Sequence, residues 1–137
     1  MISNAKPKVA FVCVHNSCRS QIAQALGTHF ASEIFESYSA GTAPSDAINP
    51  DALRLVSERY GIDMSATQHP KMLAELPAVD VLITMGCSVQ CPSVPALIHE
   101  DWGLEDPTGK GARVMNACID AIEVRVKKLA QLLMGSE

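Results

Sequence analysis

The sequence predicts an α/β fold, a three-layer sandwich in which a four-stranded parallel sheet is flanked by helices. Short apolar, β-branched runs alternate along the chain with stretches of helical periodicity. The two strongest runs, at 8–14 and 79–85, are apolar at nearly every position, as in strands buried on both faces. Alternating strands and helices imply right-handed crossovers, parallel neighbours and a sheet covered on both sides.

Each element has its own evidence. The run Lys8–Val14 is the first strand, and a polar loop follows it. After Arg19, the residues Ile22, Leu26 and Phe30 recur every fourth position and read as one face of a helix. Ser37–Ala40 is a short strand ended by Gly41. Asn49 before Pro50 reads as an N-cap followed by proline at the first helical position, opening a helix that runs to Tyr60 and stops at Gly61. Lys71–Leu76 predicts a short helix before Pro77, Val79–Met85 the next strong strand, and Ala96–Glu100 a fourth. Met115, Ile119, Ile122, Val126, Leu129 and Leu133 fall on one stripe of a long final helix. With no repeat, low-complexity tract or linker between these elements, residues 1–137 read as one domain.

Composition narrows the function classes. A net charge of −4 without a basic cluster gives no support to nucleic acid or a membrane surface as partner, and aromatics at 4% argue against a base-stacking platform. No run approaches the ~20 apolar residues of a membrane span, and the N-terminus lacks the apolar core of a signal peptide. A cytoplasmic protein is therefore expected. The five cysteines are an odd number in a chain without an export signal, which argues against a disulfide framework and for catalytic, redox or metal-binding thiols.

The sharpest feature is Cys13-Val14-His15-Asn16-Ser17-Cys18-Arg19-Ser20, placed between the first strand and the first helix. Ligands of open parallel sheets bind beyond the carboxyl ends of the strands, and a loop entering a helix there can turn its amides inward as an anion nest. Arg19 adds a planar fork that holds two oxygens of a phosphate-like group. The same positive surroundings favour the thiolate of Cys13 over its thiol, so one geometry binds a tetrahedral oxyanion and activates the nucleophile that attacks it. Asn16 tolerates a left-handed backbone and can hold the loop, while the Ser20 hydroxyl can donate to the thiolate. Residues Val14, His15, Asn16, Ser17, Cys18, Arg19 and Ser20 thus form the expected substrate cradle. Cys18 has no separate task there and reads as a small structural residue.

Cys87 and Cys91 follow the strand ending at Met85, and so emerge on the same sheet edge as Cys13. Spaced Cys-x3-Cys between Gly86 and Pro92, they suggest a thiol relay in which Cys87 resolves an oxidised Cys13 and Cys91 carries the oxidation onward. Two ordinary loop thiols, or half of a zinc site, are the alternatives; the chain lacks a second close Cys/His pair at zinc-finger spacing. Cys118 lies on the apolar stripe of the last helix and reads as core. Asp106, held extended before Pro107 in a Gly-rich turn, is a candidate general acid for the departing oxygen, with Asp101 and Glu105 as neighbouring competitors.

Taken together, Phe11 to Gln21, Ser39-Ala40-Gly41-Thr42, Met85-Gly86-Cys87 with Cys91-Pro92, and Asp101 to Pro107 resemble the arsenate reductases built on the low-molecular-weight protein tyrosine phosphatase fold. The resemblance runs nearly end to end. It implies a low-molecular-weight phosphotyrosine phosphatase-like sandwich in which Cys13 attacks arsenate, Arg19 and the loop amides hold its oxygens, and Asp106 assists departure of water or hydroxide. Cys87 would then displace arsenite, and Cys91 would convert the Cys13–Cys87 disulfide to Cys87–Cys91 for reduction by thioredoxin. Phosphate and sulfate would compete as oxyanions, and no cofactor is expected. Some relatives hold a potassium ion near the loop; here Asn16, Ser39 and Asp63 match its ligands but Gln24 stands at the acidic position, so no metal is expected. The rivals are a tyrosine phosphatase, disfavoured because Thr108 and Gly109 replace the aromatics that usually follow the Asp-Pro pair, and a non-catalytic oxyanion- or arsenite-binding module using three thiols.

Overall fold

Successive residues of the first strand point to opposite sides of the sheet, and that alternation divides the core. A computed structural model describes residues 6–86 and 96–134. Strand β1 (Lys8–Cys13) lies between β2 (Glu36–Gly41) and β3 (Val81–Thr84), with β4 (Ile98–Asp101) outside β3, giving the order β2-β1-β3-β4 with every pairing parallel. Val9, Phe11 and Cys13 face the larger core, where Ile22 and Leu26 of α1 (Arg19–Ala31) meet Ile119, Ile122 and Val126 of α4 (Ala112–Met134). Ala10 and Val12 face a smaller cluster with Leu82 and Val79, covered by Leu73, Leu76 and Ala96. The sheet is therefore covered on both faces, thickly by helices on one and thinly on the other.

Helix α2 (Pro50–Tyr60) begins and ends as its sequence requires: Asn49 Oδ1 accepts from the amides of Asp51 (2.8 Å) and Ala52 (3.1 Å), and Gly61 closes it at φ 70°. A one-turn helix α3 (Met64–Thr67), not expected from the sequence, follows with Asp63 as its cap. Two expectations need correction. The helix expected at Lys71–Leu76 is only a 3-10 turn at Leu73–Glu75, because Lys71 and Met72 are drawn into pairing with Gly41 and Pro77 stops the chain soon after. Phe30 is 37% exposed, because a four-residue spacing slips about 40° per step around a helix, so Phe30 leaves the core face and meets His29, Tyr60 and Lys127.

Among the described residues, no helix is long and apolar enough to cross a membrane. What the fold does for the site is simple. β1 and β3 deliver their carboxyl ends side by side, since Met85 donates to the Val12 carbonyl (3.0 Å) and Trp102 to that of Thr84 (2.8 Å).

Candidate active site

Cys13 ends β1 and Arg19 begins α1, so the intervening loop must reverse direction within five residues. Its carbonyls are all turned outward. Val14 O accepts from Ala43 (2.8 Å), His15 O from Ser45 (2.9 Å), Ser17 O from Asn49 (2.7 Å) and Cys18 O from Ile22 (2.9 Å), and Asn16 O takes the Gln21 side chain (2.9 Å). In a trans peptide the next amide points the opposite way, and no cis bond occurs here, so the amides following these carbonyls converge inside the ring. The end of α1 adds its own free amides, since Cys18 makes no side-chain cap. Gly41 permits the close approach of β2 behind this ring: a Cβ there would sit 2.6 Å from the Val14 carbonyl oxygen.

Arg19, buried at the helix start, is held by Nη1 bonds to the carbonyls of Met85 (2.6 Å) and Leu104 (2.7 Å). Its guanidinium is thereby fixed between the roots of the two other loops at this edge. A guanidinium held at one nitrogen can still offer the rest of its planar fork to an oxyanion.

The Cys13 sulfur lies 2.8 Å from Ser20 Oγ. Lys71 N donates to Asn16 Oδ1 (2.9 Å), which turns the Asn16 amide nitrogen onto Ser20 Oγ (2.7 Å). That nitrogen can only donate, so the serine hydroxyl proton is left for the sulfur. Asn16 does adopt the left-handed conformation, at φ 51°. Cys18 takes a different part: buried, with its thiol donating to Met115 Sδ (3.4 Å), it packs into the core, and burial followed by the neighbouring Cys118 pushes its thiol far up. Burial pushes Cys118 up to about 11.

The three acidic candidates separate clearly. Asp101 accepts from the Thr84 hydroxyl (2.6 Å) and the Gly86 amide (2.8 Å), and Glu105 is paired with Lys110. Among the described residues Asp106 bonds its own turn, through Thr108 Oγ1 (2.7 Å) and Thr108 N (3.1 Å), and feels Arg19 and His15. Burial raises its carboxyl, but the Thr108 bonds, Arg19 and His15 outweigh that and hold it below the usual carboxylate range. These surroundings favour the Asp106 anion; a bound oxyanion, as a like charge, would push it back toward the protonated form a general acid needs.

Asn16, Ser39, Gln24 and Asp63 are each engaged within the protein: Ser39 donates to Gln24 Oε1 (2.6 Å), and Asp63 caps α3. Cys87 and Cys91 lie outside the described residues. Reasoning from the sequence missed Gln21, Gln68 and Lys71, which brace the loop. No local motif could have marked Gln68 and Lys71, because Gln68 reaches Gln21 from 47 residues away and Lys71 reaches Asn16 from 55.

The family model for low molecular weight phosphotyrosine protein phosphatase matches residues 8–136. An arsenate reductase of Shouchella clausii is 34% identical over 137 residues, covering 93% of this chain and 97% of that protein. Among solved structures, an arsenate reductase in a phosphate-binding state superposes with a TM-score of 0.84 at 34% identity, covering 93% of this chain and 98% of that one. The thioredoxin-dependent arsenate reductase of Corynebacterium glutamicum gives 0.79 at 35% identity, covering 99% of this chain and 66% of that one.

Proposed function

The chain belongs to the low molecular weight phosphotyrosine protein phosphatase family, and from that premise we propose that it is an enzyme reducing arsenate to arsenite, with thioredoxin as its reductant. The observation that carries the reading is the ring of inward amides closed by Arg19 around the Ser20-bonded sulfur of Cys13. It is shaped for a tetrahedral oxyanion and supplies the nucleophile in the same place. The naming of the relatives and the Cys87–Cys91 pair select reduction over hydrolysis.

The Cys13 thiolate attacks pentavalent arsenic, and an arsenate oxygen leaves as water or hydroxide with a proton from Asp106. The Cys87 thiolate then attacks the Cys13 sulfur. The arsenic–sulfur bond breaks with its electron pair passing to arsenic, which departs as trivalent arsenite, and a Cys13–Cys87 disulfide remains. Cys91 attacks Cys87 in that disulfide and frees the Cys13 thiolate. The resulting Cys87–Cys91 disulfide takes two electrons from a dithiol of thioredoxin. A reducing, cytoplasmic setting belongs to this reading. Phosphate and sulfate, with the same tetrahedral shape, act as competitors for the loop.

The test is NADPH oxidation in the presence of thioredoxin and its reductase. It should depend on arsenate, and Cys87→Ser or Cys91→Ser should each abolish it. Full thioredoxin-coupled turnover in either variant would sink the relay. Hydrolysis of aryl phosphate without arsenate-dependent oxidation would make the protein a phosphatase.

A further inference from the structure

Among the described residues, Asn16 is the one non-glycine residue at positive φ, 51°. Such a conformation persists only where its surroundings over-determine it. The bond from Gln21 Nε2 to the Asn16 carbonyl (2.9 Å) is part of that constraint. Gln21 could meet Asn16 with either end of its amide, and only the nitrogen end attracts a carbonyl. What selects the nitrogen end is Gln68. Its Nε2 donates to Gln21 Oε1 (2.8 Å) and also to the Gln21 backbone carbonyl (3.0 Å), so the Gln21 oxygen is occupied and its nitrogen must face the loop. Gln21 and Asn16 are fully buried and Gln68 nearly so, and in such surroundings an oriented amide chain is strong when satisfied and disruptive when reversed.

The chain continues past Asn16 to Ser20 and the sulfur of Cys13. We propose that Gln68 is a positioning residue for the nucleophile: its side-chain amide sets the direction of Gln21, which holds Asn16 in the conformation that turns Ser20 onto Cys13. Gln68 touches neither substrate nor sulfur. Its effect arrives through three other residues, which is why no motif around Cys13 reveals it. The inference rests on Cys13 being the reactive thiol of the proposed function, but not on what that thiol attacks.

The test is the rate at which iodoacetamide alkylates Cys13 near neutral pH, read at that residue by peptide mass spectrometry. Gln68→Met keeps the length and packing of the side chain and removes its donor without adding charge. It leaves in place the charged and titratable groups around the loop: Arg19 on α1, His15 within the loop, Asp106 opposite, Cys118 on α4 and Lys71 beside Asn16. Alkylation should slow about tenfold, the size of effect expected from one hydrogen bond lost at the reacting sulfur. Leu129→Ala, a core deletion on α4, should lower the melting temperature and leave the Cys13 rate alone. An unchanged rate in Gln68→Met, or equal slowing in Leu129→Ala, overturns the proposal.

Combining Gln68→Met with Asn16→Ala should slow alkylation no further than Asn16→Ala alone, and full additivity would refute the route through Asn16. Should Gln68→Met not fold, Gln68→Asn, which keeps the amide but shortens its reach by one methylene, carries the same comparison. Alkylation needs neither arsenate nor thioredoxin. A wild-type chain inert in the coupled assay would therefore remove the proposed reaction and leave this result standing.

Discussion

Cys13 and Cys18 sit at the two ends of one loop and are equally hidden, each 3% exposed, yet the protein treats them oppositely. Cys13 meets a hydroxyl that is itself oriented by Asn16, beneath a ring of inward amides. Cys18 turns to the other side, onto Met115 and toward Cys118, where burial drives its thiol up and outweighs the attraction of Arg19. Burial alone, then, does not decide which sulfur is poised to react. The partner on the sulfur does, together with which side of the loop the side chain takes.

The largest consequence is a division of labour between the two. Cys13→Ser should lower turnover of arsenate, and of any aryl phosphate the enzyme accepts, by roughly 10^4-fold or more, as loss of a covalent nucleophile does. Cys18→Ala should leave kcat within a few-fold and instead cost about 1 kcal/mol of stability, through the small cavity left against Met115. Steady-state kinetics and urea unfolding on both variants would separate the roles. Comparable loss of activity in the two would erase the contrast.

A smaller effect isolates what makes the Cys13 end special. Ser20→Ala removes the hydroxyl 2.8 Å from the sulfur and leaves the amide ring and Arg19 in place. A hydrogen bond to a charged group contributes about 1.5–3 kcal/mol, so the attacking step should slow by roughly tenfold or more while KM changes little. Single-turnover rates with excess enzyme would report it. If KM rose and the rate held, Ser20 would belong to anion binding rather than to the nucleophile.

Much of this site is legible from the sequence because its parts are contiguous. Cys13, Asn16, Arg19 and Ser20 lie within eight residues, between an apolar run and an amphipathic one, so strand, loop and helix follow from local pattern alone. Asn49, Pro50 and Gly61 mark α2 for the same reason. What escapes is tertiary. Nothing near Lys71 says that its backbone will pair with Gly41 and end a helix before it forms, and nothing near Gln68 says that it will face Gln21 in a buried amide pair. The roles of Asp101 and Glu105 were open for a similar cause: three carboxylates within six residues differ only in whether Thr84 or Lys110 is near enough to occupy them.

The smallest effect tests the core side of the contrast through pH. Cys118, held by burial at about 11 against an ordinary 9.0, keeps its proton in the folded chain after the unfolded chain has released it. Below pH 9 both states bind that proton and stability is full. As pH rises from there toward 11 the unfolded state binds fewer protons, so stability falls with pH across that window and levels off above it. Cys18 is pushed in the same direction and adds to the loss. Tyr60, raised to about 12 by burial and by its bond to Glu123, contributes the same sign at the alkaline end, so the raw slope does not report the thiols by itself. The informative quantity is the difference between chains. Urea midpoints should drop less between about pH 8 and pH 10.5 in Cys118→Ala than in wild type, and less again when Cys18→Ala is added. A drop in Cys118→Ala as large as that of wild type would mean that burial does not hold this thiol's proton, and the contrast between the two sides of the loop would have to rest on the partner of each sulfur instead.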